Sequence, residues 1–103
     1  AGKTYLLAHG SPIELFNPAT SKYDHPVMHT VWARIDPDDE MPEGKLVIFG
    51  HTPTFIYQPI VPMAVWVGKQ KIAIDCGSGS EVGGRLCCLR LDDMKVFYSE
   101  EKE

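Results

Sequence analysis

The stretch that decides the fold is Leu46-Val47-Ile48-Phe49-Gly50-His51-Thr52-Pro53, an apolar run that stops at a turn carrying a histidine. A short apolar run bounded by turn-forming residues predicts a buried β-strand. The glycine frees the backbone at the end of this strand, and the proline stiffens it. An imidazole held at such a strand end is well placed to ligate a metal ion.

A second histidine occupies a comparable place near the start of the chain. The run from Thr4 to Ala8 predicts another buried strand, and it ends in His9-Gly10-Ser11-Pro12. A single histidine beside a glycine at a turn is more often structural than functional. Two strand-end histidines, each tied to a glycine and a proline, favour one shared site built from His9 and His51.

Size and charge exclude several classes of protein. The chain has 103 residues, of which 44% are hydrophobic, so we expect a single domain with an apolar core. The net charge is −4 and the ten basic residues are scattered, which argues against a nucleic-acid partner. The longest apolar runs are about five residues, against the ~20 that span a bilayer, so we expect a soluble protein without a membrane partner.

The cysteines point to a reducing compartment. Cys76, Cys87 and Cys88 are odd in number, and they form no Cys-x-x-Cys pair. Because neighbouring residues on a strand face opposite ways, Cys87 and Cys88 are not expected to line one pocket. We expect reduced, packed thiols in a cytoplasmic protein, without a structural zinc site of paired cysteines.

The remaining pattern predicts an α+β fold that is rich in strands and has few short helices. Apolar spacing predicts a helix over 27–35, between a polar loop (12–26) and an acidic connection (36–44) that lacks the ligand pattern of an EF-hand. A glycine-rich segment (77–84) lacks the lysine of a P-loop and is expected to pack around a site built by other elements. Further strands are predicted at 55–60, 64–67, 71–75, 85–91 and 96–98, with hairpin turns at 68–70 and 92–95.

Taken in order, these segments resemble the C-terminal half of the calcineurin-like metallophosphoesterases, most closely the bacterial and phage serine/threonine phosphatases. The resemblance covers nearly the whole chain except the 12–26 and 36–44 loops and the charged tail. The matching segments are Tyr5-Leu6-Leu7-Ala8-His9-Gly10, Val31-Trp32-Ala33-Arg34, Leu46-Val47-Ile48-Phe49-Gly50-His51-Thr52-Pro53, and Ile74-Asp75-Cys76-Gly77 leading to Gly83-Gly84-Arg85-Leu86.

The resemblance implies a phosphatase that hydrolyses phosphomonoesters on phosphorylated proteins or small molecules. It implies the β-rich half of an αββα sandwich, with two divalent metal ions, manganese, iron or zinc, at one edge. His9 and His51 match two ligands of one metal, and Arg34 matches a residue that contacts the phosphate. From the residues alone, a surface salt bridge between Arg34 and the acidic connection is the alternative, and Trp32 favours the phosphate role.

The family's other metal-binding motifs, Asp-x-His, Gly-Asp with Asp-Arg, and Gly-Asn-His-Glu, do not occur in this chain. We therefore expect residues 1–103 to be the C-terminal portion of one phosphoesterase domain, inactive without its N-terminal half. Two alternatives stay open. One is a non-catalytic β-rich binding or scaffolding module, and the other is a homodimer that pairs exposed strand edges and pools four histidines.

Overall fold

The strands form one mixed four-stranded sheet and one separate hairpin. The computed structural model describes residues 4–78 and 83–99, and residues 79–82 of the glycine-rich segment therefore lie outside the described residues. In chain order the elements are β1 (Thr4–Ala8), a 3₁₀ turn (Ile13–Leu15), α1 (Pro26–Trp32), β2 (Lys45–Phe49), a 3₁₀ turn (Thr54–Ile56), β3 (Trp66–Gly68), β4 (Lys71–Ala73), β5 (Cys87–Arg90) and β6 (Lys95–Tyr98).

The centre of the sheet is parallel, and this brings the two histidine turns to the same edge. Strand β1 pairs with β2 from Thr4 opposite Lys45 to Ala8 opposite Phe49. Strand β4 pairs in parallel with the other side of β2, and β3 pairs antiparallel with β4, which gives the order β1-β2-β4-β3. Both β1 and β2 therefore end side by side, as the sequence requires for one shared site.

The core lies under β2 and β4. Five buried apolar residues pack together, and four partly buried ones, including Tyr57 and Trp66, close the cluster. The rings of Tyr57 and Trp66 stack with centroids 4.6 Å apart and planes 13° from parallel. The buried members are Ile35, Met41, Val47, Phe49 and Ala73.

Helix α1 is shorter than the sequence predicts. Pro26 occupies its first turn, and the Nδ1 of His25 accepts a hydrogen bond of 3.1 Å from the backbone N–H of Val27 at the helix start. The predicted helix over 27–35 ends at Trp32 because Ala33 turns to an extended backbone (φ −68°, ψ 142°). The chain then places Ile35, only 2% exposed, in the core instead of on the helix face.

Several predicted strands have different bounds, and one prediction is wrong. Residues 55–60 do not form a strand. They begin with the end of the 3₁₀ turn, and Pro59 lacks the N–H that a ladder needs. The structure gives Trp66–Gly68 for the predicted strand 64–67, Lys71–Ala73 for 71–75, Cys87–Arg90 for 85–91 and Lys95–Tyr98 for 96–98. Both predicted hairpins are present as antiparallel pairs.

The acidic connection is anchored by a buried lysine. The carboxylate-bearing residues 38–40 are exposed, as expected, but the ammonium of Lys71 donates to the backbone carbonyls of Asp36 and Asp39. Lys71 is 1% exposed, and these carbonyls offset part of the cost of burying its charge. The acidic connection is thereby fixed against the apolar core to which β2 contributes Val47 and Phe49.

The described residues form a small mixed α+β domain, which confirms the predicted fold class at that level. Over residues 4–78 and 83–99, no helix has the length and apolar character needed to cross a bilayer.

Candidate metal and phosphate site

His9 and His51 meet at the end of the parallel strands. Because Ala8 lies opposite Phe49, the residues that follow leave the sheet together, and the N–H of Gly50 donates to the His9 carbonyl at 3.0 Å. The two imidazole centroids are 5.2 Å apart, with ring planes inclined by 47°. We call these two side chains the histidine pair. The structure thus brings together the two residues that the sequence selects as metal ligands.

The C-terminal carbonyls of α1 hold both histidine turns in place. The last four carbonyls of a helix lack partners within the helix. Here the N–H of Gly10 donates to the carbonyl of Thr30 at 2.8 Å, and the Nε2 of His51 lies 3.0 Å from the carbonyl oxygen of Trp32. One helix end therefore fixes the turn after β1 and the turn after β2 at once.

The contact with Trp32 also sets which nitrogen of His51 can bind a metal. A carbonyl oxygen only accepts hydrogen bonds, so the Nε2 of His51 must carry the proton. In a neutral imidazole the lone pair is then on Nδ1, and a ring oriented in this way is typical of a metal-binding histidine. The backbone of His51 is left-handed (φ 64°), and the Trp32 indole lies edge-on to the ring at 5.9 Å.

Gly10 allows the turn after β1 to lie close against the C-terminal end of α1. A Cβ atom at this position would lie 2.8 Å from the carbonyl oxygens of both Thr30 and Ala33 and 3.1 Å from that of Val31. Only a residue without a side chain fits that space. The glycine after His9 is therefore required by packing, whereas at Gly50 the nearest atom to such a Cβ is the His9 oxygen, 3.7 Å away.

Arg34 lies two residues beyond α1 with an exposed side chain. Over residues 4–78 and 83–99 the guanidinium forms no salt bridge, so the alternative role of pairing with the acidic connection is not seen there. Burial raises the pKa of the Tyr57 phenol above its usual value, and the nearby Arg34 charge lowers it in part. The phenol donates to the carbonyl of Ile35 at 2.6 Å. The donors of the exposed Arg34 side chain are thus not engaged by a carboxylate within the described ranges.

The histidine pair offers two imidazole donors. Stable zinc-type sites usually have about four ligands, of which three or four come from the protein. Within the described ranges, no group of three or more histidine, cysteine, aspartate or glutamate side chains is arranged to hold a metal ion. The donor chemistry of the pair fits a divalent metal, but the set is incomplete.

The cysteines take no part in this site. The Sγ of Cys87 donates to the carbonyl of Ile74 at 2.9 Å, while Cys88 is exposed on the other face of β5. Burial, together with the neighbouring thiol of Cys76, raises the pKa of Cys87 to about 12. At neutral pH this sulfur is therefore a protonated thiol in the metal-free protein, and a poor nucleophile.

A cavity of about 360 Å³ lies between the 12–26 loop and α1, and we call it the loop–helix cavity. The sequence did not predict it, because residues 12–26 show no periodic pattern and His29 is a single histidine on a helix. Trp32 and Arg34 line it, and Trp32 also packs against His51 of the histidine pair. Its polar wall consists of Asn17, Thr20, Ser21, Lys22, Tyr23, His29 and Arg34.

Comparisons of this chain with protein-family models, with curated proteins and with solved structures found no match.

Proposed function

We propose that this domain is the C-terminal portion of a metal-dependent phosphatase that hydrolyses phosphomonoesters with an activated water. The observation that carries the proposal is the histidine pair, with rings 5.2 Å apart at the ends of two parallel strands. Arg34, which forms no salt bridge within residues 4–78 and 83–99, follows the end of α1 by two residues. Imidazole and guanidinium are the groups expected where a metal and a phosphate meet.

In this proposal His9 and the Nδ1 of His51 hold one metal ion, and further ligands come from chain outside these residues. A pair of divalent ions such as manganese, iron or zinc, when bound, supplies an activated water and neutralises charge on the phosphate. The Trp32 carbonyl keeps His51 in the tautomer that leaves Nδ1 free. The proposed fold of the complete domain is the αββα sandwich of the calcineurin-like phosphoesterases.

Arg34 binds the phosphate in the proposed mechanism. Its planar fork of N–H donors can contact two phosphate oxygens at once, which orients the group and stabilises the charge that develops during attack. Because its side chain is exposed, it reaches substrate without first breaking a salt bridge in the described part of the chain.

The test is metal-dependent hydrolysis of p-nitrophenyl phosphate by the native polypeptide that carries this sequence. The informative variant is His51→Asn, because asparagine tolerates the left-handed backbone that alanine would strain. We expect His51→Asn to remove most activity, at least 100-fold, a loss typical of a metal ligand or its support.

The matched control is His25→Asn, which removes an exposed imidazole and retains a side chain that caps α1. This variant is expected to keep the activity of the unmodified protein. Full activity of His51→Asn, or equal losses in both variants, would contradict the proposed metal role.

A second candidate is a homodimer in which two copies pool their histidines. Strand β1 lies at an edge of the described sheet, and Leu7 on this strand is 73% exposed. An exposed apolar edge strand favours pairing with another chain. Light scattering with and without Zn²⁺ tests this candidate, and a monomeric mass under both conditions would exclude it.

A further inference from the structure

The wall of the loop–helix cavity is selective in charge. Two cations, Lys22 and Arg34, line it together with hydroxyl and amide groups, and no carboxylate does. The chain as a whole has a net charge of −4, so a wall without acidic residues is not the average of its surface. Over residues 4–78 and 83–99, neither cation forms a salt bridge. This charge pattern favours an anionic ligand.

A buried histidine in the same wall lacks a hydrogen-bond partner. His29 is 8% exposed, and its Nε2 is buried without a partner in the described structure. The ring is fixed by edge-on contacts with Phe16 at 5.5 Å and Tyr23 at 6.5 Å between centroids. Buried polar atoms almost always have a partner, which is either protein, water or ligand. His29 is an exception: its Nε2 is shielded from the solvent-filled cavity as well as from protein partners, so the ring packs in the cavity wall without contacting a ligand.

Lys22 and Ser21 supply further hydrogen-bond donors to the cavity wall. The ammonium of Lys22 lies 5.4 Å from the centre of the Tyr23 ring, and the Oγ of Ser21 accepts a hydrogen bond from the backbone N–H of Tyr23. Because that Oγ acts as the acceptor in this bond, its own hydroxyl hydrogen is free to donate into the cavity. Ammonium and hydroxyl donors, in a wall that also carries the Arg34 guanidinium, suit a tetrahedral oxyanion.

We propose that the loop–helix cavity is a second oxyanion site, which binds a phosphoryl group through Lys22 and the Ser21 hydroxyl. Because Trp32 lines the cavity and also packs against His51, the bound group lies on the side of Trp32 that is near the proposed metal site. The phosphoryl group belongs either to a second phosphorylated position of the substrate or to free inorganic phosphate. Binding itself does not depend on a metal, and only the assignment to substrate rests on the proposed function.

The test is a titration of the metal-free protein with inorganic phosphate, followed by NMR of the histidine rings and the tryptophan indoles at constant ionic strength. We expect saturable shifts for His29 and Trp32. Lys22→Gln should weaken binding at least fivefold. Lys95→Gln removes the same charge from an exposed lysine over Phe97 in the separate hairpin, and it should leave the affinity unchanged.

Linear shifts without saturation, or equal weakening by both lysine variants, would overturn the proposal, because either result indicates nonspecific charge attraction. Saturable shifts of His51 without a shift of His29 would also overturn it, and would leave the proposed function standing. Loss of metal binding in the histidine-pair variants has no bearing on this titration. The failures of the two proposals are therefore distinguishable.

Two further ligands separate the sources of the phosphoryl group. If the cavity serves substrate, a doubly phosphorylated peptide should bind at least tenfold tighter than a singly phosphorylated one, and Lys22→Gln should remove that difference. If the cavity serves free phosphate, the two peptides should bind equally and inorganic phosphate should bind tighter than either.

Discussion

Adding one methyl group at Gly10 tests how closely the turn after β1 packs against the C-terminal end of α1. In Gly10→Ala the new Cβ would lie 2.8 Å from two backbone oxygens and 3.1 Å from a third. These are helix-end carbonyls, and they cannot rotate away as a flexible side chain would. These short contacts are removed only if the turn after β1 moves away from the end of α1. That movement also stretches the 2.8 Å hydrogen bond from Gly10 to Thr30.

The expected cost follows from these contacts. Forcing a methyl group into a packed site costs typically 1–3 kcal/mol, and weakening the hydrogen bond adds about 1 kcal/mol. Alanine regains about 0.4–1 kcal/mol because it restricts the unfolded chain. The net loss is about 1–4 kcal/mol, which at about 4–8 °C per kcal/mol lowers Tm by roughly 5–30 °C.

The matched control is Gly50→Ala, which adds the same methyl group beside the other histidine. Its Cβ would meet only the His9 carbonyl oxygen, at 3.7 Å, and Gly50 does not have a left-handed backbone. We expect a change within about 0.5 kcal/mol. Thermal and urea unfolding of both variants provide the assay. An equal loss of stability in the two variants, or an unchanged Tm in Gly10→Ala, would refute close packing of the turn after β1 against α1.

Three further predictions concern Tyr57 and Cys87. Tyr57→Phe should lower the free energy of unfolding by about 1 kcal/mol, because the Ile35 carbonyl loses its donor; an unchanged urea midpoint would contradict this. In the native state Cys87 should resist iodoacetamide at pH 8–9 while exposed Cys88 reacts, as mass spectrometry can show. Because the native pKa of Cys87 is raised to about 12, its contribution to stability is present below its usual pKa of 9.0 and lost as pH rises toward 12. Stability that does not fall over this interval would contradict the assigned burial.

The strands that carry the histidine pair were predictable from local sequence. Strand β1 has the predicted bounds, but the prediction that it is buried is wrong, since none of its residues is buried; β2 begins one residue earlier than its apolar run. Short apolar runs that end at glycine and proline leave little choice of structure. The parallel register then brings His9 and His51 together, because two neighbouring parallel strands end at the same edge.

Other features depend on tertiary contacts that no local pattern contains. Residues 55–60 are rich in strand-forming side chains, but the N–H of Thr54 bonds the Asp75 carbonyl and the chain turns instead. Helix α1 stops early because Ile35 is needed in the core. The cavity wall joins Lys22, His29 and Arg34 from a loop, a helix and a connection, and their approach depends on how the loop folds back.

The most direct measurement is a Zn²⁺ titration, followed by NMR, of the native polypeptide that carries this sequence, labelled with ¹⁵N in its histidine rings. We predict that the Nδ1 of His51 and one nitrogen of His9 shift together at the same metal concentration, while the Nε2 of His51 keeps its proton and its bond to the Trp32 carbonyl. The rings of His25 and His29 should not respond. Separate titration of His9 and His51, or binding through the Nε2 of His51, would contradict a shared metal site.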